Sequence, residues 1–234
     1  MQNDSKALEL TILMPCLNEE TTVGICVKEA FCFIHDHGIQ GEVLVADNGS
    51  TDQSVHIAKK SGARVIQVKT PGYGCALRAG IRASRGKVII MGDSDTTYDF
   101  SDIDDMYQLL IGGHCDIVIG DRIDGNIRPG AMPLSHKIGV RALSAIGRLR
   151  YGVSIRDFHC GLRGLTKEAA DKMQFQTTGM EFATEMIAEA KRKGLRMREV
   201  PVVLNKSIIG RKSKLRTVRD GFRHLSYILM GGSE

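Results

Sequence analysis

Short apolar runs alternate along the chain with stretches of helical periodicity. Five runs rich in Val, Ile and Leu read as strands: Leu8 to Cys16, Glu42 to Asp47, Arg64 to Lys69, Val88 to Met91 and Asp116 to Gly120. Apolar runs without polar alternation fit strands covered on both faces. Between them apolar residues recur at helical steps, as at Val23, Cys26, Val27, Ala30 and Ile34, and Gly38 closes that helix. Ser50 or Thr51 can cap a second helix reaching about Lys60. Pro71-Gly72-Tyr73-Gly74 turns the chain into a third over Cys75 to Ser84, and Ser101 with Asp104 resembles the capping box of a fourth, about ten residues long. Alternation at this tempo predicts an α/β fold with a mostly parallel, doubly wound sheet. From Asp121 the pattern loosens into a Gly/Pro-rich loop to Pro133 and a helix over Ser135 to Tyr151. A strand at Gly161 to Thr166, a helix over Met180 to Lys193 and a strand at Met197 to Leu204 follow. These later strands are expected to be antiparallel or mixed.

Polarity at the strand ends is the second signal. Val88-Ile89-Ile90-Met91 runs into Gly92 and then Asp93 and Asp95. Two carboxylates where a buried strand leaves the core are costly unless a cation meets them, and hard divalent cations take such oxygen ligands. An Asp-X-Asp alone is equally a capped turn. Two further runs end in polar clusters, at Leu17-Asn18-Glu19-Glu20 and at Asp47 to Asp52. Open parallel sheets bind ligands beyond the carboxyl ends of strands where strand order reverses, so the three ends are expected to converge on one crevice. The glycines before Cys75 could bring backbone amides to a phosphate. Leu77, however, stands where a dinucleotide fingerprint needs its last glycine, which argues against that cofactor.

A chain of 234 residues is most simply one domain. No apolar run approaches the roughly 18 residues that span a bilayer, and Met1 to Glu9 lacks a signal peptide's apolar core, so a cytosolic or peripheral chain is expected. The six cysteines are scattered without a Cys-X-X-Cys pair and read as buried thiols of a reducing compartment. Charge is uneven: residues 191 to 234 carry 12 Lys or Arg against 3 Asp or Glu, while the remainder carries 20 against 24. A basic tail on a slightly acidic body points to an anionic partner, whether nucleic acid, a lipid surface or a phosphorylated substrate. Absence of Trp and few aromatics argue against nucleic acid.

Nine segments carry a resemblance that spans nearly the whole chain in order: MPCLNEE (14 to 20), VADNGSTD (45 to 52), PGYGCALRAG (71 to 80), MGDSDTTYDF (91 to 100), GDRIDG (120 to 125), DFHCGLRG (157 to 164), GMEFATEMI (179 to 187), EVPVVL (199 to 204) and SKLRTVRDGFRHL (213 to 225). Together they resemble the inverting family 2 glycosyltransferases of the A-type fold, and within them the dolichol-phosphate mannose synthases and bacterial polyprenyl-phosphate hexosyltransferases. The resemblance implies a Rossmann-like catalytic domain over residues 1 to 210 and a basic amphipathic helix over 211 to 234. It implies that Pro15, Asn18, Glu20, Asp47, Arg78 and Asp93 bind a nucleotide-sugar donor, UDP-glucose-like or GDP-mannose-like. Asp95, with Asp93 beside it, would hold Mg²⁺ or Mn²⁺, which assists departure of the nucleoside diphosphate. Arg122, Ser213 and Lys214 match family positions that would serve a polyprenyl phosphate acceptor and the diphosphate; Arg128, Arg163, Lys212 and Arg216 join them because arginine forks and lysine point charges suit phosphate. Glu181, with Glu185 as its neighbour, stands at the family's base position. A phosphate acceptor is already largely dianionic and needs no base, so Glu181 would then bind sugar hydroxyls.

Two predicted helices bear on the membrane. Leu215, Val218, Phe222, Leu225 and Leu229 form one apolar stripe, with Arg216, Arg219, Arg223 and His224 across from it; Ile138, Ala142, Ala145, Ile146 and Leu149 form another, opposite Lys137, Arg141, Arg148 and Arg150. Such faces either lie in a lipid interface or pack on the core. Many relatives continue into transmembrane helices, so a peripheral form, a truncated sequence or a separate membrane partner is expected. Alternatives with the same signals are a soluble small-molecule acceptor and a sugar-phosphate nucleotidyltransferase.

Overall fold

A computed structural model describes residues 8–207 and 217–231. In chain order the elements are β1 (Leu10–Cys16), α1 (Val23–Asp36), β2 (Gly41–Asp47), α2 (Ser54–Lys60), β3 (Arg64–Gln67), α3 (Tyr73–Ala83), β4 (Val88–Met91) and α4 (Asp104–Ile111). They continue with β5 (Ile117–Ile127), α5 (Leu134–Tyr151), β6 (Arg163–Thr166), α6 (Lys167–Lys172), α7 (Phe182–Arg192), β7 (Met197–Leu204) and α8 (Thr217–Met230). Among the described residues seven strands form one sheet in the order β3-β2-β1-β4-β6-β5-β7. Only β6 runs against its neighbours, pairing antiparallel with β4 and β5. The mixed second half is therefore as expected. Strand order reverses between β1 and β4, where the chain goes outward to β3 and then returns to the other side of β1.

The sheet is buried for the reason read from its composition: every residue of β1 and β4 is buried. Thr11, a polar residue inside β1, is satisfied, donating to Glu42 and accepting from the Gly86 amide. Several boundaries differ from expectation because polar side chains serve loops. Ser50 and Thr51 do not cap α2; their amides are held by Asp47 and Asn18. Ser101 sits in a turn closed by Asp99, and α4 starts later. α3 begins at Tyr73, preceded by Gly72 at φ +135°, where a Cβ would lie 2.1 Å from the Thr178 carbonyl oxygen. The expected loop after Gly120 is largely strand, because β5 continues along β7 through a register shift between Asp121 and Asn126. The short helix α6, unforeseen, is capped by Thr166.

The two amphipathic helices correct the core-packing alternative. α5 turns Ser144 and Gly147 inward, with Gly147 against Phe158. Its apolar stripe faces out: Ile138 is 63% and Leu149 87% exposed. α8 packs on α5 and α7 through His224 and Ile228, while Phe222 is 69% exposed. Leu215 lies outside the described residues.

Candidate active site

A cavity of about 810 Å³ opens where the strand order reverses, reached by the ends of β1, β4 and β7, the middle of β5 and the start of β6. Its first side is built by β1, β2 and the turn into α3. Pro15, Cys16, Leu17 and Glu19 line it, together with Asn48 and Tyr73. Asn48 organises this side: its amide nitrogen donates to the carbonyls of Val68 (3.2 Å) and Thr70 (2.8 Å), and its oxygen accepts from the Gly72 amide (2.7 Å). Burial pushes the Cys16 thiol up to about 11, against lowering by serine hydroxyls, so it is not a nucleophile.

Other residues expected here are placed differently. Asp47 accepts from the amides of Gly49 and Ser50, Asn18 from the Thr51 amide, and Glu20 from the Gln53 amide. They stitch the β1 and β2 ends into one loop, because loop amides without ladder partners need acceptors. None of the three is among the residues lining the cavity. Arg78 also points away, donating to the carbonyls of Phe175 (3.2 Å) and Gln176 (2.8 Å).

Asp93 and Asp95 face the middle of the cavity. The Tyr73 hydroxyl donates to Asp93 Oδ1 at 2.9 Å, and Asp95 Oδ1 accepts from the Thr97 amide (3.0 Å) and hydroxyl (2.5 Å). Ser94 ties this turn to β1 by donating to the Pro15 carbonyl. Among the described residues no group of three or more His, Cys, Asp or Glu is close enough to hold a metal ion unaided. Two hard carboxylates at a cavity wide enough for phosphates fit Mg²⁺ or Mn²⁺, which commonly takes one or two protein carboxylates and completes its shell with phosphate and water oxygens.

The far side is cationic. Arg122 on β5 is gripped by buried Asp157 through Nε (2.6 Å) and Nη2 (2.8 Å). Burial disfavours its charge, but Tyr98 and the Asp157 carboxylate together outweigh this and keep it protonated. Arg163, 2% exposed, donates to the carbonyls of Phe158, Cys160 and Ala183, clamping the loop before β6 to α7. Arg128 is exposed and off the cavity, and Lys212, Ser213, Lys214 and Arg216 lie outside the described residues. Glu181 precedes α7, accepts from the Gly179 amide and pairs with Arg223 of α8. Burial raises its carboxyl, but Arg223 and the amides outweigh this and hold it below the usual range. Glu185 is turned inward, accepting from Gln176 and Thr177. Three histidines also line this side, His136, His159 and His224, and the sequence reading missed their role. His159 lies inside the segment DFHCGLRG, but nothing in its spacing showed that it reaches the crevice.

Comparison with known proteins adds three findings. The family model described as glycosyl transferase family 2 matches residues 11–174. The chain is 37% identical over 222 residues to the low-salt glycan biosynthesis hexosyltransferase Agl6 of Haloferax volcanii, covering 94% of this chain and 53% of that protein. It therefore spans about half the length of that relative. A dolichyl-phosphate hexose transferase of the same organism is 28% identical over 196 residues, covering 83% of this chain and 82% of that protein. Among solved structures, glucosyl-3-phosphoglycerate synthase from Mycobacterium tuberculosis, in complex with Mn²⁺, UDP and glucosyl-3-phosphoglycerate, shares the fold at TM-score 0.74 and 21% identity over 96% of this chain and 80% of that one.

Proposed function

Because the chain belongs to glycosyl transferase family 2, we propose that it moves a hexose from a nucleoside-diphosphate sugar to the phosphate of a polyprenyl carrier. The observation that carries this reading is the division of one cavity into a side built by β1, β2 and α3 and a cationic side walled by α5 and α8, with Asp93 and Asp95 between them. The donor nucleotide occupies the first side and the acceptor phosphate the second. Asp93 and Asp95 would hold a divalent cation, which when bound would supply neutralising charge to a departing diphosphate. An acceptor phosphate oxygen attacks the anomeric carbon as the bond to the diphosphate breaks and the diphosphate leaves with the electron pair, inverting the centre. Glu181, ionised at neutral pH, does not line the cavity itself but holds α8, which does, through Arg223. The hexose transfer for which the relatives are named and the Mn²⁺ and UDP bound to the fold neighbour support the chemistry.

The lipid acceptor is supported by the same two helices. Their inner faces line the cavity, while Leu134, Ile138 and Leu149 on α5 and Phe222 and Met230 on α8 face outward beside exposed Arg141 and Arg150. Apolar side chains next to basic ones suit an anionic lipid interface. Among the described residues no helix is long and apolar enough to cross a membrane. In this reading the catalytic domain is followed by α8 (Thr217–Met230) as the lipid-facing helix, and the enzyme works at the cytoplasmic membrane face. A second reading, a soluble phosphorylated acceptor, is favoured by the phosphoglycerate product bound to the fold neighbour. The test is a panel of nucleotide sugars with Mg²⁺ or Mn²⁺, with farnesyl phosphate, with phosphoglyceric acid, and with neither. A lipid-linked sugar formed only with the lipid phosphate supports the first reading; transfer only to phosphoglyceric acid replaces it with the second.

A further inference from the structure

His159 sits between Asp157 and Arg163 in the loop entering β6 and lines the cationic side of the cavity. Both of its ring nitrogens are buried without a hydrogen-bond partner among the described residues. A neutral imidazole carries one donor and one acceptor, and a buried polar group left unpaired in a native site calls for a partner that binding supplies. The neighbouring imidazole differs: His224 Nδ1 is 2.8 Å from the Thr184 hydroxyl. The His224 ring lies edge-on over His159, with centroids 4.4 Å apart and planes at 80°.

The surroundings identify the chemistry of the missing partner. Asp157 is consumed by Arg122. Arg163 donates to three carbonyls and, among the described residues, makes no direct ion pair with a carboxylate, so it is a further cation beside the cavity. Burial, followed by His224, Arg122, Arg163 and His136, holds the His159 ring well below its ordinary range and therefore neutral. A neutral N–H donor flanked by guanidinium groups suits an anionic oxygen.

We propose that His159 donates a hydrogen bond to the phosphate of the acceptor, next to Arg163. The proposal rests on the reading above that the acceptor is a phosphate ester, and it holds for a lipid phosphate and a soluble phosphorylated acid alike.

The experiment uses the full chain, its donor sugar, and farnesyl phosphate in micelles or phosphoglyceric acid in solution. In His159→Ala the KM for whichever acceptor the parent uses rises about tenfold or more, the loss expected for one hydrogen bond to a charged group. Donor KM and nucleoside-diphosphate affinity stay within about twofold of the parent. His159→Gln, whose amide donates at similar reach, recovers most of the loss. An unchanged acceptor KM, an equal rise in donor KM, or a Gln variant no better than Ala overturns the proposal. A readout independent of turnover is the titration of inorganic phosphate into the parent and into His159→Gln, followed by the ring-nitrogen resonances of the histidines. Movement of the His159 signal supports the proposal, and a silent signal overturns it. If the parent turns over phosphate acceptors while His159 is silent, the functional reading stands and this inference alone falls. If the parent transfers only to acceptors without phosphate, both fall.

Discussion

The Arg122–Asp157 pair is buried on both sides and bidentate, so each charge depends on the other. Burial raises the Asp157 carboxyl, but Arg122 and backbone amides hold it below its usual range. A carboxyl whose folded value lies below its unfolded value of about 3.9 stabilises fully above that pH, and its contribution is lost as pH falls through the folded value. Asp157→Asn therefore lowers stability by about 3–5 kcal/mol at neutral pH, the cost of stranding a buried charge. Denaturant titration of both proteins should show this gap closing in acid below about pH 3.9, and a gap that persists undiminished there assigns the loss to packing instead. Asp95 has a different task. Asp95→Asn keeps the Thr97 contacts within reach of an amide oxygen, so thermal melting is unchanged while turnover falls about a hundredfold or more, as for loss of charge stabilisation at a leaving group. Retained turnover removes Asp95 from the site.

At the scale of elements, α5 is held by its smallest residues. A Cβ on Gly147 would lie 2.5 Å from the Phe158 ring. Gly147→Val is expected to cost about 1–3 kcal/mol by overpacking, read from the denaturant midpoint. The outward residues behave oppositely. Leu149→Glu with Phe222→Glu should leave stability within about 0.5 kcal/mol, because both side chains are exposed. Sedimentation with anionic vesicles should fall at least tenfold, since each buried apolar side chain is worth roughly 1.5–3 kcal/mol. Unchanged sedimentation removes the lipid-facing role from this surface. The periodicity of α5 was legible and its orientation was not: helical spacing of Ile138, Ala142, Ile146 and Leu149 defines a face but not what lies opposite. Here two small residues, Ser144 and Gly147, permit the close approach that selects the other face.

For the whole molecule, the sheet was readable because uninterrupted apolar runs such as Leu10 to Cys16 have nowhere to go but a two-sided core. Asp93 and Asp95 were readable because they break such a run at its carboxyl end. The rest of the site depends on contacts between distant positions, which local pattern does not encode: Tyr73 on Asp93, Arg78 on Phe175, Glu181 on Arg223. Metal removal tests the assembled site. A chelator should abolish transfer and leave the melting midpoint in place, because the core is closed by the sheet and its helices; a large drop in the midpoint would make the ion structural. The antiparallel strand β6 has one more consequence. Its reversed direction presents an entering loop, rather than a leaving one, at the edge where β4 ends and β5 parts from β6, and that loop carries Asp157 and His159. The donor side is furnished by β1, β2 and α3, which that loop does not supply. Residues 153–162 thus form an exchangeable cassette: grafting the corresponding loop from a relative with another acceptor should redirect acceptor choice while the nucleotide preference stays with the host, a separation that competition assays with mixed donors and mixed acceptors would read directly.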